Sequence, residues 1–326
     1  MKPTLLAPMP ASFFGIAVGP LALAAAWRVA VPLWHLPAIV ADALTVGSLL
    51  VWVAILAGYA HTWWRHPAAA RAELEHPVLS AYISLGPVSS MLAANALQAV
   101  SRPLAVAVFV VAALAGLGIG AHQYARVWKG HLSAAQVTPV AYIPGVAANL
   151  VAGAVAANLG WHGLGGLFFG AGVLSWLAIE SIMLHRVTAH PELDPVLRPG
   201  LGIQLAPPVV AGGAYLSLTT GAPDVIALAL LGYGLYQLAT MGRLLPWIVR
   251  QPFTPAYWAF SFGIAALPTM AMRMVARGAE GSVEWIAIAS FVFANVAIGL
   301  FIVRTIGLWI NGRLLPVVAP RRVAAH

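Results

Sequence analysis

The stretch Trp258-Ala-Phe-Ser-Phe-Gly-Ile-Ala-Ala-Leu-Pro268 (WAFSFGIAALP) lies in a run without a formal charge from Gln251 to Met272. A helix needs about 20 apolar residues to cross the hydrocarbon core of a bilayer, and this run supplies them. Inside it sit two phenylalanines two positions apart, then a glycine and a proline. Residues two apart lie on nearly opposite sides of a helix. Phe260 and Phe262 therefore face different neighbours, and the helix that carries them is broken by its own glycine and proline.

Outward from this stretch the chain stays poor in charge. Of 326 residues, 61% are hydrophobic and 8% are charged. A soluble domain carries about 25% charged residues, so the composition describes an integral membrane protein. Glycine (31) and proline (24) are abundant, as membrane helices tolerate. Cysteine is absent, which excludes disulfides, thiolate metal sites and cysteine nucleophiles. Lys2 alone precedes the first apolar stretch and no small-residue cleavage site follows it. That stretch is expected to be a retained helix rather than a signal peptide.

Charges punctuate the apolar runs. The uncharged runs are 3–27, 43–64, 76–101, 103–125, 130–179, 199–223, 225–242, 251–272 and 285–303, and 130–179 is long enough for two helices split near Asn158–Gly163. The expected fold is all-α, with ten transmembrane helices in a single domain, 1–326. Five are interrupted, near 11–30, 78–98, 138–159, 199–219 and 254–277. Five have almost no interior proline, near 38–62, 103–128, 163–187, 223–249 and 283–311. With ten helices both termini share a side. That side holds Lys2, Arg65, Arg71, Arg126, Lys129, Arg186, Arg198, Arg243, Arg250, Arg304, Arg313, Arg321 and Arg322. The other side holds only Arg28, Arg102, Arg273 and Arg277. The positive-inside rule places both termini in the cytoplasm, with the basic surplus meeting anionic lipid. No basic tract interleaved with aromatics suggests a nucleic-acid partner.

The interruptions recur. They fall at Phe14-Gly15, Gly86-Pro87, Pro144-Gly145, Pro207-Pro208 and Phe262-Gly263, about 60 residues apart, the length of a helical hairpin. Proline removes a backbone hydrogen bond, and a freed carbonyl at membrane depth is tolerated only against protein or water. Five broken helices around a shared axial pore or cavity, each followed by an unbroken helix outside, satisfy that condition most simply.

Several motifs carry a family resemblance: Phe13-Phe14-Gly15-Ile16, Tyr142–Asn149 (YIPGVAAN), Gly163–Gly172 (GLGGLFFGAG), Leu205-Ala-Pro207, Gly232-Tyr-Gly234, Leu244–Val249 (LLPWIV) and Trp258–Gly263. In order and spacing they resemble the tellurite-resistance/dicarboxylate transporter family, which includes bacterial TehA and the plant slow anion channel. The resemblance runs from the first helix to the tenth. It implies five tandem hairpins with quasi-fivefold symmetry, a central pore lined by the odd-numbered helices, and a homotrimer with one pore per subunit in the bacterial inner membrane. It implies passive conduction of small inorganic or carboxylate anions. It also implies that Phe262 projects into the pore and gates it while Phe260 packs away, with Phe14, Gly15, Gly86, Pro87, Pro144, Gly145, Pro207 and Gly263 lining the pore or marking the breaks. Family relatives suggest a second reading, a proton-coupled transporter of C4-dicarboxylate, sulfite or tellurite.

Other residues test these readings. Glu180 is an intramembrane carboxylate on an even helix, either a proton carrier or a structural hydrogen-bonding group. Asn95 and Asn149 either line the pore or bond a neighbouring helix. Asn95 stands where the resemblance implies an acidic residue, so no shared role is carried over to it. His61, His66 and His76, and His185 and His190, have no metal-ligand spacing. Gly163, Gly165 and Gly166 open a helix without a preceding strand and without the Lys-Ser/Thr of a phosphate loop. No catalytic residue, metal or cofactor is expected, and the protein reads as a transport protein rather than an enzyme.

Overall fold

The computed structural model describes residues 8–130 and 136–315. Lys2, Arg321 and Arg322, which contribute to the charge bias, lie outside the described residues. Among the described residues the secondary structure is entirely helical. The long helices are α1 (Phe14–Trp34), α2 (Ala38–Arg65), α4 (Leu85–Leu97), α5 (Arg102–Trp128), α6 (Ala148–Asn158), α7 (His162–Ala189), α8 (Ala206–Leu218), α9 (Val225–Ile248), α10 (Ser261–Val275) and α11 (Ser282–Ile310). A short helix, α3 (Pro67–Glu75), lies between α2 and α4.

Nine spans among the described residues are long and apolar enough to cross a membrane, and Leu79–Leu97 makes a tenth after a 107° bend from α3. That tenth span has only 6 residues of 3-10 helix and 13 of α-helix. A 3-10 helix rises about 2.0 Å per residue and an α-helix about 1.5 Å, so it still reaches about 31 Å, the thickness of a hydrocarbon core.

The interruptions take the form of a change of helix type. A 3-10 stretch, Ala11–Phe13, leads into α1, and another, Leu79–Ser84, leads into α4. A 3-10 turn, Pro139–Ala141, and a π turn, Ile143–Ala147, lead into α6. Pro195–Leu205 leads into α8 and Pro255–Phe260 into α10. Proline chemistry explains much of this. Pro87, Pro144 and Pro207 lack the N–H that would pair the carbonyl four residues earlier, and the tighter or wider turns accommodate that loss. The helices that follow each of these spans start directly as α-helix.

Tertiary packing sorts the two classes. α1, α4, α6, α8 and α10 each pack on their two neighbours, and α10 closes the ring on α1. α2, α5, α7, α9 and α11 pack outside, each on the inner helix before it. Inner spans that qualify as membrane-crossing by length are 61–78% buried, whereas the outer ones are 22–33% buried. The exposed faces of the outer helices are apolar, as at Leu50, Leu114, Leu174, Val296 and Val303. Trp64, Trp128, Trp285 and Trp309 are exposed near helix ends, where indoles favour the membrane interface. Inner and outer helices approach closely at glycines. A Cβ on Gly153 would meet the Gly165 carbonyl at 3.1 Å, and one on Gly165 would meet the Gly153 carbonyl at 2.9 Å. Small residues let α6 and α7 pack backbone to backbone, as membrane helices do.

Candidate functional site

The ring encloses two cavities along its axis. The inner one, on the side where the inner spans begin, is about 260 Å³. The outer one, toward their ends, is about 100 Å³. Each inner span presents one continuous stripe to both. The first span offers Gly15 and Val18 to the inner cavity and Ala22 and Ala25 to the outer. The second offers Leu85 and Val88, then Leu92 and Asn95. The third offers Ile143 and Ala147, then Val151, Ala154 and Asn158. The fourth offers Ile203 and Ala206, then Val210 and Gly213. The fifth offers Ala259 and Phe262, then Ala266, Thr269 and Arg273. Spacings of three and four keep such residues on one helical face.

Among the described residues Phe262 alone lines both cavities. It is half-buried on the second residue of α10. Phe260, at the end of the preceding 3-10 stretch, is buried and turns the other way. Its ring lies against Gly202, where a Cβ would meet it at 2.4 Å, and it borders a lateral recess between α9, α10 and α11. The two phenylalanines thus diverge as their spacing requires, one toward the axis and one into packing.

The cavities differ in chemistry. Polar side chains of the inner cavity are Ser12, Tyr82 and Thr138, and no charged residue lines it among those described. The Thr138 hydroxyl is buried without a hydrogen-bond partner. The outer cavity is lined by Asn95, Asn158, Thr269 and Arg273. Asn158 Nδ2 donates to Asn95 Oδ1 at 2.9 Å, as does Gln98 Nε2 at 3.1 Å. Asn95 therefore both bonds its neighbours and faces the axis. Arg273 Nη1 donates to Ser217 Oγ at 2.7 Å and to the Gly213 carbonyl at 3.3 Å.

The other expected site residues occupy two kinds of position. Gly15 lines the inner cavity. Phe14 is buried at the start of α1 and meets Tyr59 edge-on at 5.4 Å between centroids. With Gly86 and Pro87 it borders a lateral recess toward α2 and α5. Pro144 and Gly145 border a separate recess with Tyr124, off the axial cavities. Pro207 is buried in the first turn of α8. Gly263 is buried, and a Cβ there would fall 2.7 Å from the Leu205 carbonyl carbon and 2.9 Å from the Ala206 nitrogen. Gly263 thus lets α10 close on the lead segment of α8 directly beside Phe262.

Glu180 lies on α7, outside the ring, and borders neither axial cavity. Its carboxylate accepts hydrogen bonds from Tyr142 Oη at 2.7 Å, Trp176 Nε1 at 3.0 Å and Tyr233 Oη at 2.9 Å. Three donors satisfy much of a carboxylate's accepting capacity and tie α7 to α9 and to the lead segment of α6. Asn149 Nδ2 donates to the Gly145 carbonyl at 2.7 Å, satisfying a backbone acceptor in the π turn. His76 Nδ1 accepts from the Val78 and Leu79 amides at 3.1 and 3.0 Å, which ties down the start of the second inner span.

Some of this was within reach of the sequence. Arg273 lies eleven residues after Phe262, three turns of an α-helix and hence the same face. The tyrosine partners of Glu180 carry no such signal, since they come from segments 38 and 53 residues away.

Comparison with known proteins agrees with this architecture. A family described as SLAC1, voltage-dependent anion channel, matches residues 8–306. The chain is 35% identical over 301 residues to the tellurite resistance protein TehA homolog of Haemophilus influenzae, covering 92% of this chain and 90% of that one. It is 29% identical over 160 residues to the S-type anion channel SLAH4 of Arabidopsis thaliana, covering 48% of this chain and 42% of that one. A multi-pass membrane chain with this match over nearly its whole length belongs to the SLAC1 family, the tellurite-resistance/dicarboxylate transporter group of anion channels and transporters.

Proposed function

We propose that the protein is a passive, weakly selective channel for small inorganic or carboxylate anions, with a path along the five inner stripes that Phe262 closes. The observation that carries this reading is that Phe262 is the one described residue shared by the two axial cavities. An aromatic ring in a narrow apolar passage excludes water and with it ions. Displacing it takes little free energy. Burial of a phenylalanine is worth about 1.5–3 kcal/mol, an off-rotamer torsion costs about 0.5–1.5 kcal/mol, and one charge crossing 100 mV gains about 2.3 kcal/mol. The gate is therefore openable by a modest conformational bias. No carboxylate among the described residues lines either cavity, so none of those lining residues carries a negative charge that would repel anions. The absence of an axial carboxylate favours a channel over proton coupling, and the position of Glu180 supports a structural role for it.

The same reading takes the ring as quasi-fivefold and the protein as a homotrimer with one pore per subunit, in the bacterial inner membrane with both termini cytoplasmic. The charge bias supports that orientation. Planar-bilayer and liposome measurements with chloride, nitrate and a dicarboxylate test the function. Expected is an electrogenic anion flux that needs no proton gradient and rises when Phe262 is replaced by Ala. A flux that saturates at low substrate and follows an imposed proton gradient overturns the channel in favour of a coupled transporter of dicarboxylate, sulfite or tellurite.

A further inference from the structure

We propose that Arg273 and Asn95 form an anion-binding station in the outer cavity, where a small inorganic anion such as chloride or nitrate is held before it reaches Phe262. The station rests on the channel reading and adds a binding site to it.

The four basic residues at the far ends of the spans are not alike. Arg28 pairs with Asp42 at 2.8 Å. Arg102 Nη2 donates to the Leu159 carbonyl at 2.8 Å, where α6 ends. Arg277 donates to the Leu216 carbonyl and the Thr219 hydroxyl, at the end of α8. Those three have an opposite charge or the orphan acceptors of a helix terminus, which favour a cation. Arg273 has neither. Its acceptors are a hydroxyl and Gly213 O, a carbonyl inside α8 that also accepts the Ser217 hydroxyl at 3.1 Å. No carboxylate among the described residues lies within ion-pair distance of Arg273, and its Nε and Nη2 have no acceptor among them. A partly buried guanidinium with neutral partners and with donors open to a cavity is placed to receive an anion there.

Asn95 supplies the second donor. Its Oδ1 takes two hydrogen bonds, from Asn158 and Gln98. An amide oxygen held this way fixes the flip of the group. The Asn95 NH₂ is left without an acceptor among the described residues, on a side chain that borders the same cavity as Arg273. The cavity, about 100 Å³, is small enough to favour one small anion with little accompanying water. Arg273 lies about 16 Å along α10 from Phe262 and on the same face, so an anion leaving the station moves along the stripe to the ring.

Two measurements test this, one by conduction and one by binding. In bilayers carrying Phe262→Ala protein, adding Arg273→Gln is expected to lower conductance at low chloride by about tenfold, the value of one charge-assisted hydrogen bond, and to raise the half-saturating chloride on the far side. Arg273→Lys is expected to retain most of the conductance, and Asn95→Ala to show a smaller loss. In detergent, chloride or nitrate is expected to raise the thermal unfolding midpoint of the wild-type protein but not of Arg273→Gln. If Phe262→Ala conducts and Arg273→Gln changes neither conductance nor the anion-dependent midpoint, the station is wrong and the channel stands. If Phe262→Ala conducts no better than wild type while the midpoint still responds to chloride through Arg273, the gate fails and the station stands. Should Arg273→Gln not fold, Asn95→Ala and Arg273→Lys carry the test, and an unchanged chloride response in Asn95→Ala overturns the station.

Discussion

The inner and outer axial cavities are walled by the same five spans, yet they differ in volume and in chemistry. The inner cavity is about 260 Å³, uncharged, and walled largely by the 3-10 and π lead segments. The outer cavity is about 100 Å³, walled by regular α-helix, and holds Arg273 and two asparagines. Where proline has displaced regular helix the wall is uncharged and encloses the larger volume. Where the helix is regular, a single face repeats every three or four residues and delivers polar groups to one narrow place. The interior of the ring is therefore asymmetric about Phe262, with Arg273 and two asparagines on one side and an uncharged, largely apolar wall on the other.

Substitutions at the boundary between the cavities should have the largest effect. Phe262→Ala joins them and is expected to raise anion current by about ten- to a hundredfold, the equivalent of about 1.5–3 kcal/mol of ring burial. Phe262→Trp is expected to keep the path shut in the same bilayer recordings. Equal currents from wild type and Phe262→Ala would show that the two cavities are unconnected spaces.

Gly263→Val tests the seam beside Phe262. A Cβ there would lie 2.4 Å from Leu205 Cβ and 2.7 Å from the Leu205 carbonyl carbon, so α10 must move off the α8 lead. Overpacking of this kind costs about 1–3 kcal/mol, read as a lower thermal midpoint in detergent. An unchanged midpoint would mean that the ring can widen freely at this seam. Glu180→Gln is expected to cost about 1–2 kcal/mol by weakening charge-assisted hydrogen bonds, with anion flux still indifferent to a proton gradient. Loss of a proton-driven component in that variant would instead assign Glu180 to transport.

The smallest effect concerns the far-side loop before α9. Asp224 accepts from the Ile226 and Ala227 amides at 3.1 and 3.0 Å and from the Tyr215 hydroxyl. The Tyr215 hydrogen bond, with help from the backbone amides, holds its carboxyl below the ordinary value. A depressed carboxyl contributes stability that is complete above the unfolded value of about 3.9 and fades as pH falls toward the folded one. Wild-type protein is expected to lose a little thermal stability below about pH 4, and Asp224→Asn to remove that part of the acid sensitivity. An identical acid profile in the two proteins would show that the cap is energetically silent.

Much of the fold was legible in the chain. Sparse charge required a membrane protein, and the Gly/Pro breaks at 15, 86, 144, 207 and 263 separated five interrupted spans from five uninterrupted ones. Those breaks depend on local backbone chemistry, which a sequence states directly. Their form was less legible. Mid-helix bends were the natural expectation, and the structure has 3-10 and π lead segments instead. Proline removes a donor wherever it stands, but neighbouring packing selects the turn that absorbs the loss. The candidate site was legible along single helices and obscure between them. Phe262, Thr269 and Arg273 share a face by spacing alone. That Asn158 and Gln98 would converge on Asn95, or that Tyr142 and Tyr233 would close on Glu180, depends on contacts between distant segments.

That the chain crosses a membrane about ten times, which spans are interrupted, and that Phe260 and Phe262 look in opposite directions all follow from the amino-acid order alone. Composition, proline chemistry and helical periodicity are local properties, and each acts before any tertiary contact forms. Helix packing then set how the five interrupted spans close on one another, brought Phe262 rather than Phe260 to the axial cavities, as the family resemblance implies, and left Arg273 facing a cavity with no carboxylate partner among the described residues. Those outcomes are set by which helix packs on which, because a side chain acquires an axis, a cavity or a counter-charge only when other segments surround it.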